Sequence, residues 1–192
     1  FYGAAGAEFA DQITKLAEDG RIVAFKTFLH AAPEGREQEF KGLTMANNAE
    51  LYIGMKELAK TGKIAAFHAE DNDMIQHNID QMRREGKTSA KYHCLSRPTV
   101  TEVVSIERVL GFAKETGARV EIAHISTPEG MELLKKAKAD GLDVYAETCP
   151  HYLFLTDADV EKFGPFAKCN PPLRSKEQSE KLWDYINDGT VD

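Results

Sequence analysis

The sequence predicts an α/β fold built on a parallel sheet, either doubly wound or part of a (β/α)8 barrel. Three observations carry this. Short apolar runs alternate with stretches of helical periodicity at least four times along the 192 residues, the pattern of strands joined by crossover helices. No two runs are joined as a hairpin. Several runs stop on polar residues just before a helix start, which is where α/β proteins place their chemistry. No Gly-x-Gly-x-x-Gly follows any strand, which argues against a dinucleotide-binding sheet.

Composition narrows the class. With 42% hydrophobic and 29% charged residues, the chain is long enough for one sizeable core. A net charge of -7 disfavours nucleic acid or an anionic membrane as partner, because both need clustered Lys and Arg. No apolar run reaches the length of a membrane span and no signal peptide opens the chain, so a cytoplasmic enzyme is expected. Cys94, Cys149 and Cys169 show no Cys-x-x-Cys spacing and read as reduced thiols. Phe1 in place of Met, and an end at Asp192 where a new strand would begin, suggest a piece of something longer.

In chain order, residues 8–18 carry Phe9, Ile13, Leu16 and Ala17 at helical spacing before Gly20. Residues 22–29 read as a strand in which Lys26 interrupts an apolar run. Either its stem snorkels from an edge strand, or it is a desolvated amine with a lowered pKa. Such an amine can capture carbon dioxide and become a carboxylate-like ligand. Residues 30–42 form a loop, suited to a substrate lid or to plain surface. A helix follows at 47–60, then a strand at 64–67 that ends in His68, Ala69 and Glu70. Residues 71–85 make a polar helix with His77 exposed. Gly86-Lys87-Thr88 lacks the earlier glycine and preceding strand of a phosphate loop. Thr99 and Glu102 have capping-box spacing for the next helix.

Residues 119–127, RVEIAHIST, read as a buried strand delivering His124 to its C-terminal end, with a capping box from Ser126 to Glu129 and Pro128 near the first helical position. A lone strand histidine is usually a hydrogen-bonded core residue; here two other strands also end in polar groups. The strand at 143–146 leads into Glu147-Thr148-Cys149-Pro150-His151-Tyr152. Thr156 and Asp159 cap a short helix, and 168–174, KCNPPLR, is irregular and extended. It presents Asn170 to a ligand or is a structural turn. Ser175 and Gln178 cap a last helix with Leu182, Trp183 and Ile186 facing inward.

Lys26, His68 and His124 thus come from three βα units, which converge at one mouth in a barrel. Neutral imidazoles suit zinc and similar metals, and a metal so held brings the pKa of bound water to about 7, which supports hydrolysis of an amide or ester.

Five segments in order, Ala24-Phe25-Lys26-Thr27-Phe28, Phe67-His68-Ala69-Glu70, His124-Ile125-Ser126-Thr127, Glu147-Thr148-Cys149-Pro150-His151-Tyr152-Leu153 and Asn170-Pro171-Pro172-Leu173-Arg174, resemble the cyclic amidohydrolases: dihydroorotase, allantoinase and dihydropyrimidinase or hydantoinase. The resemblance implies a partial (β/α)8 TIM-type barrel lacking its first and last strands, with residues 1–192 as the central part of a single barrel domain. It implies two divalent metal ions, zinc foremost, bridged by carboxylated Lys26, with His68 and His124 on the second ion and Asn170 binding substrate. The implied reaction is attack of a metal-bridging hydroxide on a ring amide carbonyl, an aspartate moving the proton, in a homodimer or homotetramer.

The family's His-x-His pair is absent from the chain, and its catalytic aspartate belongs to a strand expected just beyond Asp192, so no catalytic residue is assigned here and little activity is expected of these residues alone. His-Ile-Ser-Thr and Asn-Pro-Pro-Leu-Arg-Ser look like dihydroorotase, whereas Leu95-Ser96-Arg97-Pro98 and Glu-Thr-Cys-Pro-His-Tyr-Leu look like allantoinase or hydantoinase. The tyrosine of hydantoinases after the lysine is missing. His151 is read as structural. A non-catalytic amidohydrolase-like scaffold or assembly protein is the alternative.

Overall fold

The computed structural model describes residues 1–192. Five short strands, β1 (Tyr2–Ala4), β2 (Ala24–Phe28), β3 (Ile64–His68), β4 (Val120–Ile122) and β5 (Val144–Ala146), form one sheet in chain order with every neighbouring pair parallel. A doubly wound sheet reverses its strand order at a switch point; this one does not, and so has the winding of a barrel segment. The helices follow as α1 (Ile13–Ala17), α2 (Asn48–Thr61), α3 (Asn72–Arg84), α4 (Lys91–Leu95), α5 (Thr99–Thr116), α6 (Pro128–Ala139), α7 (Pro150–Phe154), α8 (Asp157–Phe163) and α9 (Lys176–Asn187).

Alternation along the strands sorts side chains onto two faces. Phe25, Phe67, Val120 and Ile122 are buried beneath a layer in which α2 packs on α5 and α5 on α6; Leu51, Met55, Ile106, Val109, Met131 and Leu134 complete that core. On the opposite face the register aligns Ala4, Lys26, Ala66, Glu121 and Tyr145 in one row. Lys26, Glu121 and Tyr145 in this row are only partly buried. No helix is long and apolar enough to cross a membrane.

Several expectations are corrected. Residues 8–18 are not one helix but a 3-10 segment (Ala7–Gln12) with non-helical φ/ψ at Phe9, then α1. The short β1 and α4 carry too little periodicity to be read from sequence. Thr99 and Glu102 form no capping box: Pro98 is the N-cap of α5, and the Glu102 carboxylate turns inward. Thr127, not Ser126, caps α6, accepting from the Gly130 N–H, with Pro128 in the first turn. Trp183 is 37% exposed and packs edge-on against Phe154 at 5.4 Å, leaving Leu182 as the buried apolar residue of α9. The capping box of Thr156 with Asp159 forms as predicted, and Ser175 caps α9 by accepting from the Gln178 N–H.

Candidate metal centre

β2 and β3 run side by side with Phe28 opposite His68. Lys26 lies on the same face one row earlier, its ammonium 5.2 Å from the centroid of the Phe28 ring. The His68 ring is 5.3 Å from the same ring, centroid to centroid, so lysine and histidine pack on one aromatic. Burial lowers the Lys26 pKa to about 8, while the charges of Glu147 and Glu121 pull it back up. The neutral amine is therefore accessible near neutral pH.

His124 stands just past the end of β4, where the sequence placed it, as the strand gives way to a loop. Its φ of 47° lies in the left-handed region that non-glycine residues seldom occupy. The turn directs its Nε2 at His68 Nδ1, 3.1 Å away. The backbone N–H of His124 donates to Glu147 Oε1 at 3.2 Å. Burial, followed by the charges of His68 and Lys26, lowers the His124 pKa to about 3, so this imidazole stays neutral, the form that binds metal.

Glu70, two residues beyond His68, accepts from His68 Nε2 at 2.9 Å. Burial alone would raise the Glu70 pKa, but the hydrogen bond and charge of His68, with Arg97 and Arg174, outweigh it and hold the carboxyl ionised. With its proton assigned to Nε2 by this bond, His68 presents a lone pair at Nδ1. That is the carboxylate–histidine arrangement that orients metal ligands. Two nitrogens bound to one tetrahedral zinc at the usual bond length stand about 3.3 Å apart, close to the observed pair. The donor set therefore fits a divalent cation: His68 Nδ1 and His124 Nε2 would hold it. His124 Nδ1 is buried without a partner.

The four residues singled out from sequence are only partly brought together. His68 and His124 meet directly, and Lys26 joins them through Phe28. Asn170 is separate: with His30, Glu34, Asn72 and Arg97 it lines a cavity of about 410 Å3 that reaches Glu70. The cavity and the histidine pair thus touch through one carboxylate.

Sequence reasoning assigned no site role to Glu70, Arg97 or Arg174, and read Glu102 as part of a helix cap. Arg174, at the end of the Asn-Pro-Pro-Leu-Arg segment, donates to Ser126 Oγ at 2.9 Å and to Glu102 Oε2 at 3.0 Å. Glu102 in turn accepts from the Ser126 backbone N–H at 2.8 Å. Arg174 also donates to the Arg97 carbonyl. The turn that carries His124 is therefore tied to the segment that carries Asn170. The one signal in the sequence is the His-x-Glu spacing of His68 and Glu70; the Arg174 network links residues up to 77 apart and has none.

A parallel sheet wound in chain order, with His68 at the end of one strand and His124 just past another, is the arrangement of a (β/α)8 barrel segment. No family model matches the sequence. The chain is 37% identical over 192 residues to an allantoinase of Enterococcus faecalis, all of this chain against 41% of that protein. It is 37% identical over 180 residues to an allantoinase of Bacillus licheniformis, covering 93% of this chain and 39% of that one. An L-hydantoinase (dihydropyrimidinase) from Arthrobacter aurescens superimposes with a TM-score of 0.90 at 32% identity, over all of this chain and 41% of its own. A dihydroorotase from Campylobacter jejuni shares the fold, with a TM-score of 0.62 at 19% identity over 98% of this chain and 46% of its own. The chain belongs to the cyclic amidohydrolase superfamily, and spans about two fifths of the length of the curated relatives it matches.

Proposed function

We propose that these residues are the central part of one barrel domain of an enzyme that hydrolyses a ring amide C–N bond, with an allantoin- or dihydroorotate-like substrate, in the cytoplasm and as a homo-oligomer. The observation that carries the reading is the His68 Nδ1 to His124 Nε2 approach of 3.1 Å at the ends of parallel strands, with Glu70 fixing the His68 tautomer.

In this reading His68 and His124 would hold one divalent cation, zinc foremost, and Lys26, once carboxylated on its neutral amine, would serve as a carboxylate-like ligand shared with a second. When bound, the ions supply a nucleophilic hydroxide near neutral pH and polarise the ring carbonyl. The chain's own residues do the rest of the work described here. Lys26 provides an amine whose pKa of about 8 permits carbon dioxide capture. Glu70 keeps the His68 lone pair on Nδ1. Asn170 positions the ring in the cavity beside Glu70. The network of Glu102, Ser126 and Arg174 keeps the His124 turn and the Asn170 segment in register.

No His-x-His pair occurs among the 192 residues, so activity is assigned to a protein that also supplies the remaining ligands and the proton-transferring aspartate. The test is an assay of that longer protein, expressed with zinc and bicarbonate, against allantoin, dihydroorotate, hydantoin and dihydropyrimidine. Turnover of one ring, lost in Lys26→Ala and His124→Ala, supports the reading. Failure to hydrolyse any of the four overturns it.

A further inference from the structure

Where α3 ends, the chain passes through the Gly86-Lys87-Thr88 stretch into α4, and these segments, with the 3-10 turn at Gly164–Ala167, enclose a second cavity of about 400 Å3. Four cations line it, Arg83, Lys87, Arg97 and Lys168, with the hydroxyls of Thr88 and Ser89, and no Asp or Glu is among its lining residues. In a chain with 31 acidic and 24 basic residues, this is a local reversal of charge. The carboxylates that pair with three of the cations, Asp80 with Arg83 at 3.8 Å, Glu85 with Lys87 at 2.6 Å and Glu70 with Arg97 at 3.7 Å, stand outside the lining.

The inner end of the cavity is built rather than merely charged. The Arg97 side chain is 14% exposed and 3.7 Å from Glu70, and its Nε is buried without a hydrogen-bond partner. Its Nη1 donates to His93 Nδ1 at 3.2 Å, and His93 Nε2 donates to the Cys169 carbonyl at 2.8 Å. A neutral His93 thus fixes the guanidinium, and the carboxylate that faces its Nε, Glu70, lines the neighbouring cavity and not this one. Arg97 and Arg83 also line the cavity that holds Asn170, so the two spaces share a wall.

We propose that this cavity binds a small multivalent oxyanion, inorganic phosphate or a short dicarboxylate. The chemistry matches: the guanidinium groups of Arg83 and Arg97 offer forked donors, Lys87 and Lys168 offer point charges, and Thr88 and Ser89 donate to the remaining oxygens. Convergence of four positive charges without an acidic group in the wall favours an anion of more than one charge. The site needs neither a metal nor a ring substrate, so it stands or falls apart from the hydrolase reading.

The test is isothermal titration of the 192-residue chain with sodium phosphate and with sodium succinate, sodium chloride at matched ionic strength serving as the reference, and thermal unfolding as a second readout. Saturable one-site binding of phosphate or succinate is expected, with a rise in Tm beyond that given by chloride. Phosphate alone would mark a phosphoryl ligand; succinate as well would extend the class to dicarboxylates. The double variant Lys87→Gln/Lys168→Gln, both positions exposed, should bind about tenfold or more weakly, as expected for loss of charge-assisted hydrogen bonds. Lys136→Gln, on the distant α6, should bind as the parent chain does. A response no different from chloride, or binding that survives in the double variant, overturns the proposal.

Discussion

At His124 a φ of 47° carries the chain out of β4 and turns an imidazole toward His68, and Glu70 settles which nitrogen of His68 meets it. Replacing Glu70 by Gln removes the charge that stabilises that tautomer. Divalent-metal affinity should fall by about 10- to 100-fold, as for other groups that orient metal ligands, when zinc is titrated into the parent and variant proteins. Unchanged affinity would show that Glu70 serves Arg97 instead. His93 gives a prediction about pH. Burial lowers its pKa from 6.5 to about 4, against the Cys169 hydrogen bond, so between these values the unfolded chain binds a proton that the native chain refuses. Its contribution to stability is complete above pH 6.5 and is lost as the pH falls toward 4. The urea midpoint should drop over that window, and His93→Gln should flatten part of the drop; an identical profile in the variant would exclude His93 as a source.

Elements are held together at the strand ends by buried charge. Glu102 on α5 and Arg174 before α9 are 1% and 6% exposed at the side chain and 3.0 Å apart. Arg174→Met leaves the Glu102 carboxylate uncompensated and should cost about 3–5 kcal/mol in urea unfolding, whereas the double variant Glu102→Leu/Arg174→Met should recover much of that loss. A single variant as stable as the parent would show that the pair is dispensable. Two glycines predict opposite signs. A Cβ at Gly6 would collide with the carbonyl carbon of Gly42, backbone against backbone, so Gly6→Ala must displace the 42–44 segment at a cost of about 1–3 kcal/mol. At Gly111, inside α5, a Cβ meets nothing within 4 Å, and Gly111→Ala should stabilise by about 0.5–1 kcal/mol through helix propensity. Chemical denaturation of the two variants beside the parent checks both.

On the scale of the whole molecule, one face of the sheet is sealed by helices and the other carries a half-buried polar row, and that asymmetry makes the site. The alternation of strand and helix was legible because each crossover unit writes its own periodicity into local sequence: Phe25 and Phe67 on one face, Lys26 and His68 on the other. The resemblance of five short segments likewise placed the chain in its superfamily. What local sequence could not hold was the partner of each polar group. Glu102 has the spacing of a cap, yet it bonds Arg174, 72 residues away, because desolvation at the helix–sheet junction demands a counter-charge. Ser126 looks like a helix cap and instead joins that pair. The sequence by itself determined the parallel α/β order, the core face and the residues to consider as metal ligands. Only the tertiary structure decided which of these meet, because tautomer, turn angle and charge pairing depend on neighbours that the fold brings within hydrogen-bond reach.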